Sequence, residues 1–411
     1  MSKPTGPIPP YFSADADGML LIGGERAEAL ADKAGDTPLF VYDLGIVRQR
    51  VAALRQAMPD TLGLHYAIKA NSHAGLLHAM APMVDGFDVA SAGELGFALE
   101  AGMSAAHISF AGPGKRDREL EAAIAAGATI NLESEQEAER ALKLAEKLGR
   151  TPRLAVRVNP DFDLKGSGMR MGGGAKPFGI DAERVPALCQ RLIAAGAEWR
   201  GFHIFAGSQA LDPEAIIETQ SATLALARNL SDAVGAVPPL VNLGGGFGVP
   251  YFGGDESLDI AKIGAALADQ PLFASMQQAG THFAIELGRW FVAEAGVYLT
   301  RIVDRKISHG ETFLVTDGGL HHQLAASGNF GTVVRRNYPI AIANHFDAPA
   351  TEDVHVVGCL CTPLDRLGDQ VALPKAEPGD LVVLFLAGAY GRSASPSAFL
   401  GHPPATELII R

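Results

Sequence analysis

The sequence predicts an α/β chain: a TIM-like (β/α)8 barrel joined to an all-β domain assembled from both chain ends. Three observations carry that expectation. Between residues 64 and 290 an apolar run, a polar or glycine-rich turn and an alanine-rich helical segment follow one another eight times. Strand-like runs bounded by turn signals lie on either side of this repeat. The chain has 411 residues, more than one ordinary core accommodates, so two domains are expected.

Taken in order, the first dozen residues, MSKPTGPIPPYF, are proline-rich and carry no apolar signal core. Residues 20–23 and 39–42 read as strands. The eight barrel runs are LHYAIKAN, GFDVAS, HISFAGP, ATINLES, RLAVRVNP, GFHIFAGS, LVNLGGG and HFAIELGR. Between them, residues 92–101 and 134–148 have the apolar spacing of amphipathic helices. Ser134, followed by Glu137, resembles a capping box. Residues 166–174, GSGMRMGGG, are too glycine-rich for a regular element and read as a mobile loop beside the barrel mouth. Residues 297–303, 312–316, 354–357, 381–386 and 407–410 read as further strands, separated by turns such as Glu377-Pro378-Gly379-Asp380. The expected domains are therefore 1–44, strands joining the β domain; 45–295, the barrel; and 296–411, the C-terminal β domain. An open doubly wound sheet is the alternative topology. Gly244-Gly245-Gly246 does not match its dinucleotide fingerprint, because no acidic residue follows at the required distance.

Composition narrows the function. The chain is 47% hydrophobic and 19% charged, with a net charge of −12. That balance disfavours nucleic-acid backbones and anionic membranes as partners. The longest apolar stretch, around residues 381–387, is far too short to span a bilayer. Three cysteines, Cys189, Cys359 and Cys361, cannot staple a chain of this size, so a reducing cytoplasm is expected. Cys359 and Cys361 have the wrong spacing for a zinc knuckle. His321 and His322, read as neighbours on a strand, would face apart, so no metal site is expected.

Lys69, at the end of the first barrel run, is costly for an apolar strand unless its charge has a task. Later strand ends add Glu286, Ser208, Arg289 and the triple glycine Gly244, Gly245 and Gly246. Triple glycine lets backbone N–H groups approach an anion closely, and a helix amino terminus after it would add a favourable dipole. The same run is also compatible with a tight turn holding nothing. A lysine amine, a buried acid and an anion nest together suit pyridoxal 5′-phosphate. Lysine forms a Schiff base, glycines hold the phosphate, and the acid keeps the pyridine nitrogen protonated.

At this point the chain resembles a known family. The motifs are Tyr66–Asn71 around Lys69, Phe87-Asp88-Val89-Ala90-Ser91 with Glu94, Arg157-Val158-Asn159-Pro160, Gly207-Ser208-Gln209 and Gly244–Gly246. After them come Glu286-Leu287-Gly288-Arg289, Cys361 with Asp365, and Gly388-Ala389-Tyr390-Gly391. In this order they resemble the fold-type III pyridoxal-phosphate decarboxylases, the alanine-racemase-like group of ornithine, arginine and diaminopimelate decarboxylases. The resemblance runs from Phe40 to Pro404. It implies that Lys69 holds the cofactor and Glu286 meets its ring nitrogen. Ser208, Gly245, Gly246, Arg289 and Tyr390 would bind phosphate; Asp88, Arg157, Phe205, Gly244 and Gly288 would complete the cofactor contacts. Cys361 would enter from a partner subunit of a homodimer and return a proton to the substrate carbon. Thr362, Asp365, Arg336 and Tyr390 would face the substrate.

Three departures from the family pattern matter. Phe205 stands where the family has a histidine stacked on the cofactor, so stacking survives without a hydrogen bond. His203, on the same strand face, reads as structural. Leu287 replaces a proline. Thr362 follows Cys361 where relatives place an aspartate or glutamate for the substrate's distal ammonium, and threonine cannot neutralise a buried cation. The run Cys361-Thr362-Pro363-Leu364-Asp365 resembles the subgroup acting on carrier-protein-linked amino acids or found with exosortase genes. The expected reaction is α-decarboxylation of an amino acid, free or carrier-linked. A racemase or epimerase on the same fold, and a catalytically inactive cofactor-binding homologue, are the alternatives.

Overall fold

In the computed structural model, which describes residues 2–328 and 335–411, the eight apolar runs become eight parallel strands. They are Leu62–Ala67, Gly86–Val89, Ile108–Phe110, Thr129–Leu132, Arg153–Asn159, Glu198–Ile204, Leu240–Asn242 and His282–Leu287. Each pairs with its sequence neighbour, and His282–Leu287 pairs back onto Leu62–Ala67, so the sheet closes on itself. Closure removes both sheet edges and settles the choice against an open doubly wound sheet.

Both faces of the sheet are covered, and side chains such as Tyr66, Phe87, Phe110, Phe202 and Phe283 are wholly buried. Several interior positions are small or polar: Gly63, Ser109, Asn131, Ala155, Asn242 and Ala284. These leave a cavity of about 300 Å³ that reaches the amino-terminal ends of the strands at Arg200, Pro239 and His282.

Helix starts follow local chemistry. Ser91 caps helix Ala92–Glu100 by accepting the Glu94 amide at 3.1 Å, and the Glu94 carboxylate accepts the Ala90 amide at 2.7 Å. Ser134 accepts the Glu137 amide at 3.1 Å, giving the first half of the expected capping box. The second half differs. The Glu137 carboxylate turns to the Glu133 amide at 2.8 Å and the buried Lys115 amine at 2.9 Å, because an unpaired ammonium there would cost far more than an open cap.

Two compact units result: Arg50–Gly248 with Leu258–Gly288, and Met1–Gln49 with Val249–Ser257 and Arg289–Arg411. The second is largely β. Strand Leu39–Asp43 lies between Gly296–Ser308, antiparallel, and Thr406–Ile410, parallel, so the two chain ends share one sheet. Strands Ile340–Ile342 and Arg366–Leu373 also belong to this unit and were not anticipated. The first is only three residues long; the second carries Gly368 and two charges among its apolar positions, which blurs the alternation.

Two expectations are corrected. The 166–174 loop is not free of regular structure: Met169–Arg170 pair antiparallel with Gly207–Ser208. Backbone pairing needs no side chains, so glycine content hid it. No helix follows the triple glycine. The chain continues irregularly, with Phe247 bridging to Ala210, until helix Ile260–Ala268 begins. The glycine turn therefore gains no helix dipole. Among the described residues, no helix is long and apolar enough to cross a membrane.

Candidate active site

The carboxyl ends of the barrel strands gather most of the residues singled out above. Strand Leu62–Ala67 stops two residues before Lys69, which sits in a single 3-10 turn, Ile68–Ala70, with its side chain exposed. The turn is pinned from below by the Tyr66 hydroxyl donating to the Asn71 carbonyl at 2.8 Å. Gly288 lies against this turn. A Cβ there would meet the Ala70 Cβ at 2.8 Å and the Ala67 carbonyl at 3.0 Å, so glycine is what lets the last strand approach. The Lys69 ammonium stands 5.6 Å from the centre of the Phe205 ring.

Glu286 is well enclosed, only 6% exposed. Its Oε2 lies 2.8 Å from His203 Nε2 and accepts the Asn242 side-chain amide at 3.2 Å. Burial by itself would raise its pKa. The neighbouring His203, with Lys69 and Arg157, outweighs burial and holds the carboxyl below its ordinary 4.5, so it is an anion at neutral pH. His203 is thus more than a packing histidine. Strand alternation put it on the interior face, but only the strand order, with Leu240–Asn242 between Glu198–Ile204 and His282–Leu287, put Glu286 within its reach. Asn242 was missed as well. Its side chain also accepts the Gly244 amide at 2.9 Å, so one amide ties the acid to the glycine turn. An asparagine immediately ahead of Leu243-Gly244 was the available signal.

The glycine turn is built for close backbone approach. Gly244 and Gly246 have φ of 74° and 96°, which disfavours any side chain. A Cβ at Gly245 would lie 2.0 Å from the Glu286 carbonyl, and one at Gly246 would meet the Leu164 side chain at 2.6 Å. Beside it, strand Gly207–Ser208 carries a hydroxyl that is shielded from solvent and has no hydrogen-bond partner among the described residues. A shielded hydroxyl without a partner is unusual unless a ligand supplies one.

Other expected contacts have structural partners. Asp88 Oδ2 lies 3.2 Å from His65 Nδ1. Burial opposes protonation of His65, yet Asp88, and then Glu286, carry its pKa above the usual histidine value. Arg157 donates to Glu133 at 3.1 Å and lies over the Phe178 ring at 5.0 Å. Its charge reaches Glu286 across the barrel interior without a direct bond.

In the second unit, Arg289 donates to the Tyr251 hydroxyl at 2.9 Å and lies 4.7 Å from the centre of the Tyr390 ring. Tyr390 has φ of 53°, a strained value for a non-glycine residue. Arg336 stacks on Phe252 at 3.8 Å, so its guanidinium is held against an aromatic face. Residues 329–334, shortly before Arg336, lie outside the described residues.

Cys361 is exposed, and the Thr362 hydroxyl beside it accepts the Leu364 amide at 3.3 Å. Asp365, expected to face the substrate, is buried: only 3% of it is accessible, and its two oxygens accept the Leu320 and Leu360 amides at 2.6 and 2.8 Å. Those contacts shape the loop. The argument that His321 and His322 face apart also fails. They sit in a turn, not a strand, and their ring centres are 3.7 Å apart.

The barrel residues therefore fit pyridoxal phosphate: a lysine beside an aromatic face, an anionic acid fixed by a histidine and an asparagine, and a glycine nest with an unpartnered hydroxyl. The family model for the pyridoxal-dependent decarboxylase, pyridoxal binding domain, matches residues 44–293. The chain belongs to this decarboxylase family. The decarboxylase is 39% identical over 394 residues to the L-glutamyl-[BtrI acyl-carrier protein] decarboxylase of Niallia circulans, covering 94% of this chain and 92% of that one. It is 30% identical over 415 residues to the diaminopimelate decarboxylase of Methanothermobacter thermautotrophicus, with 98% and 93% covered. The crystal structure of the Helicobacter pylori diaminopimelate decarboxylase complexed with L-lysine matches it with a TM-score of 0.83 at 27% identity, over 93% of this chain and 94% of that one. Pyridoxal phosphate is the cofactor and the enzyme is a carboxy-lyase, so the racemase and inactive-homologue alternatives give way.

Proposed function

We propose that this decarboxylase removes the α-carboxyl group, as carbon dioxide, from an amino acid tethered to a carrier protein, leaving the corresponding carrier-linked amine. The observation that carries this reading is the loop after Cys361. Thr362 uses its hydroxyl on its own loop, and Asp365, the loop's acid, spends both oxygens on buried amides. A free diamino acid would bring a distal ammonium to a loop that offers it no carboxylate, which costs several kcal/mol for a buried charge, roughly 3–5. An acyl-linked substrate presents no such charge. The 39% identical relative, named for a carrier-linked glutamyl substrate, supports the same reading.

The roles follow from the geometry. When bound, pyridoxal phosphate would supply an electron-accepting ring for the pair left on the α-carbon as carbon dioxide departs. Lys69 would hold the cofactor covalently through Nζ, and Phe205 would present its ring face beside that amine. Glu286, kept anionic by His203, would hold a proton on the ring nitrogen. The N–H groups of Gly244–Gly246 and the Ser208 hydroxyl would take the phosphate oxygens. Cys361 Sγ would return a proton to the α-carbon. Its exposure suits service to a second copy of the chain, and we infer a homodimer with shared sites. The three cysteines, all free, suit a cytoplasmic setting.

The test compares carbon dioxide release from glutamate, ornithine, lysine and diaminopimelate, each free, with release from aminoacyl groups loaded on a phosphopantetheinyl carrier protein. Carrier-linked substrate should turn over at least tenfold faster in kcat/KM, a difference of about 1.4 kcal/mol. A free diamino acid that matches or exceeds it would overturn the carrier-linked assignment while leaving decarboxylation intact.

A further inference from the structure

In the β-rich unit, three side chains from distant parts of the sequence converge. They are His321, Cys359 and His402, and their ligand-capable atoms all lie within 4.8 Å of one another. The Cys359 sulfur is 3.8 Å from His402 Nδ1 and 3.9 Å from Nε2, and the His321 and His402 ring centres are 5.2 Å apart. His321 is the telling member. It is wholly buried, and neither ring nitrogen has a hydrogen-bond partner among the described residues. A neutral imidazole always carries one donor and one acceptor, and leaving both unmet in the interior is costly.

The surroundings hold this cluster in place. Asp365 accepts the amides of Leu320, just before His321, and of Leu360, just after Cys359, so one carboxylate pins both ligand-bearing loops. Gly319 and Gly358 give that carboxylate room, since a Cβ at either would lie 2.2 Å from it. His322 is engaged elsewhere: its Nδ1 lies 3.1 Å from the Tyr298 hydroxyl and its Nε2 lies 2.9 Å from the Pro403 carbonyl. That second contact fixes the chain next to His402. Such outer contacts are what orient ligands at metal sites.

We propose that His321, Cys359 and His402 form a binding site for a zinc-class cation, with water in a fourth position. Two imidazoles and a thiolate form a soft-to-borderline donor set, which selects zinc over calcium or magnesium. Tetrahedral bonds of about 2.0–2.3 Å bring donor atoms to roughly 3.3–3.8 Å of each other, so the present spacing needs only a modest closing movement of the half-buried His402. Binding releases the Cys359 thiol proton to solvent and gives one His321 nitrogen the partner it lacks. Because Cys361 follows two residues after Cys359, the cation stiffens the segment that presents it.

The experiment uses the pyridoxal-phosphate-loaded enzyme, stripped of metal by dialysis against a chelator and titrated with cobalt(II) and zinc(II). Wild-type protein should bind one equivalent per chain and give the visible bands of tetrahedral cobalt together with a thiolate charge-transfer band. Cys359→Ser should abolish the charge-transfer band, read as a difference spectrum so that cofactor absorption cancels. His402→Ala, at a partly exposed position, should weaken zinc binding at least tenfold while far-ultraviolet circular dichroism stays unchanged. Absence of tetrahedral cobalt bands, or equal binding by wild type and both variants, overturns the site.

Discussion

Glu286 shows how a single charge is made useful by its neighbours. Alone in the barrel interior it would favour the neutral form; the His203, Lys69 and Arg157 charges reverse that. Glu286→Gln keeps the shape and removes the charge. Carbon dioxide release should fall by at least ~10²-fold, with the cofactor retained as seen by its visible absorption. The pH dependence has a definite sign. Because the folded carboxyl titrates below its ordinary 4.5, its contribution to stability is present above that value and is lost as pH falls through the lower, folded one. Thermal unfolding of the cofactor-free protein should therefore show a falling Tm below about pH 4.5 that is shallower in Glu286→Gln. Lys69→Ala, by contrast, should abolish the visible cofactor band altogether, since the proposed covalent attachment would be lost.

At the level of elements, the turns after the strands do the positioning, and two of them are sensitive to single substitutions. Gly245→Ala places a methyl 2.0 Å from the Glu286 carbonyl, and backbone cannot yield there as a flexible side chain would. We expect at least about tenfold weaker cofactor binding, near 1.4 kcal/mol, measured by titrating the stripped enzyme with pyridoxal phosphate. The second case is Lys115, which precedes helix Asp117–Ala126 and binds Glu137 of helix Glu135–Leu148, as well as the carbonyls of Gly112 and Asn131. Lys115→Met strands a buried carboxylate. It should cost about 3–5 kcal/mol in urea unfolding, and Lys115→Met with Glu137→Leu should recover much of that loss.

At the scale of the whole molecule, the proposed shared-site dimer makes a complementation prediction. Lys69→Ala and Cys361→Ala homodimers should each be nearly inactive. Mixed after dissociation and reassembly in equal amounts, half the dimers are mixed, and each mixed dimer has one intact site, so about a quarter of wild-type activity should return. No recovery would place both residues in a site built from one chain. Much of this architecture was legible in the sequence. The eight runs, four of them carrying Lys69, Ser208, Gly244–Gly246 and Glu286, became barrel strands with those residues at or just beyond their carboxyl ends, because burial on both faces demands continuous apolar runs whatever their partners. The chain-end strands were legible for the same reason. Strands Ile340–Ile342 and Arg366–Leu373 were not, since one is too brief and the other too polar to show a period. Nor could the sequence say who meets whom. His203 opposite Glu286, Asn242 between acid and glycine turn, Asp365 capped by two amides, and His321 beside Cys359 and His402 all join residues tens to hundreds of positions apart. Local patterning sets which way a side chain points along its own strand or turn. What stands across from it depends on how the barrel closes and how the β-rich unit gathers its loops, and those distances exist only in the folded chain.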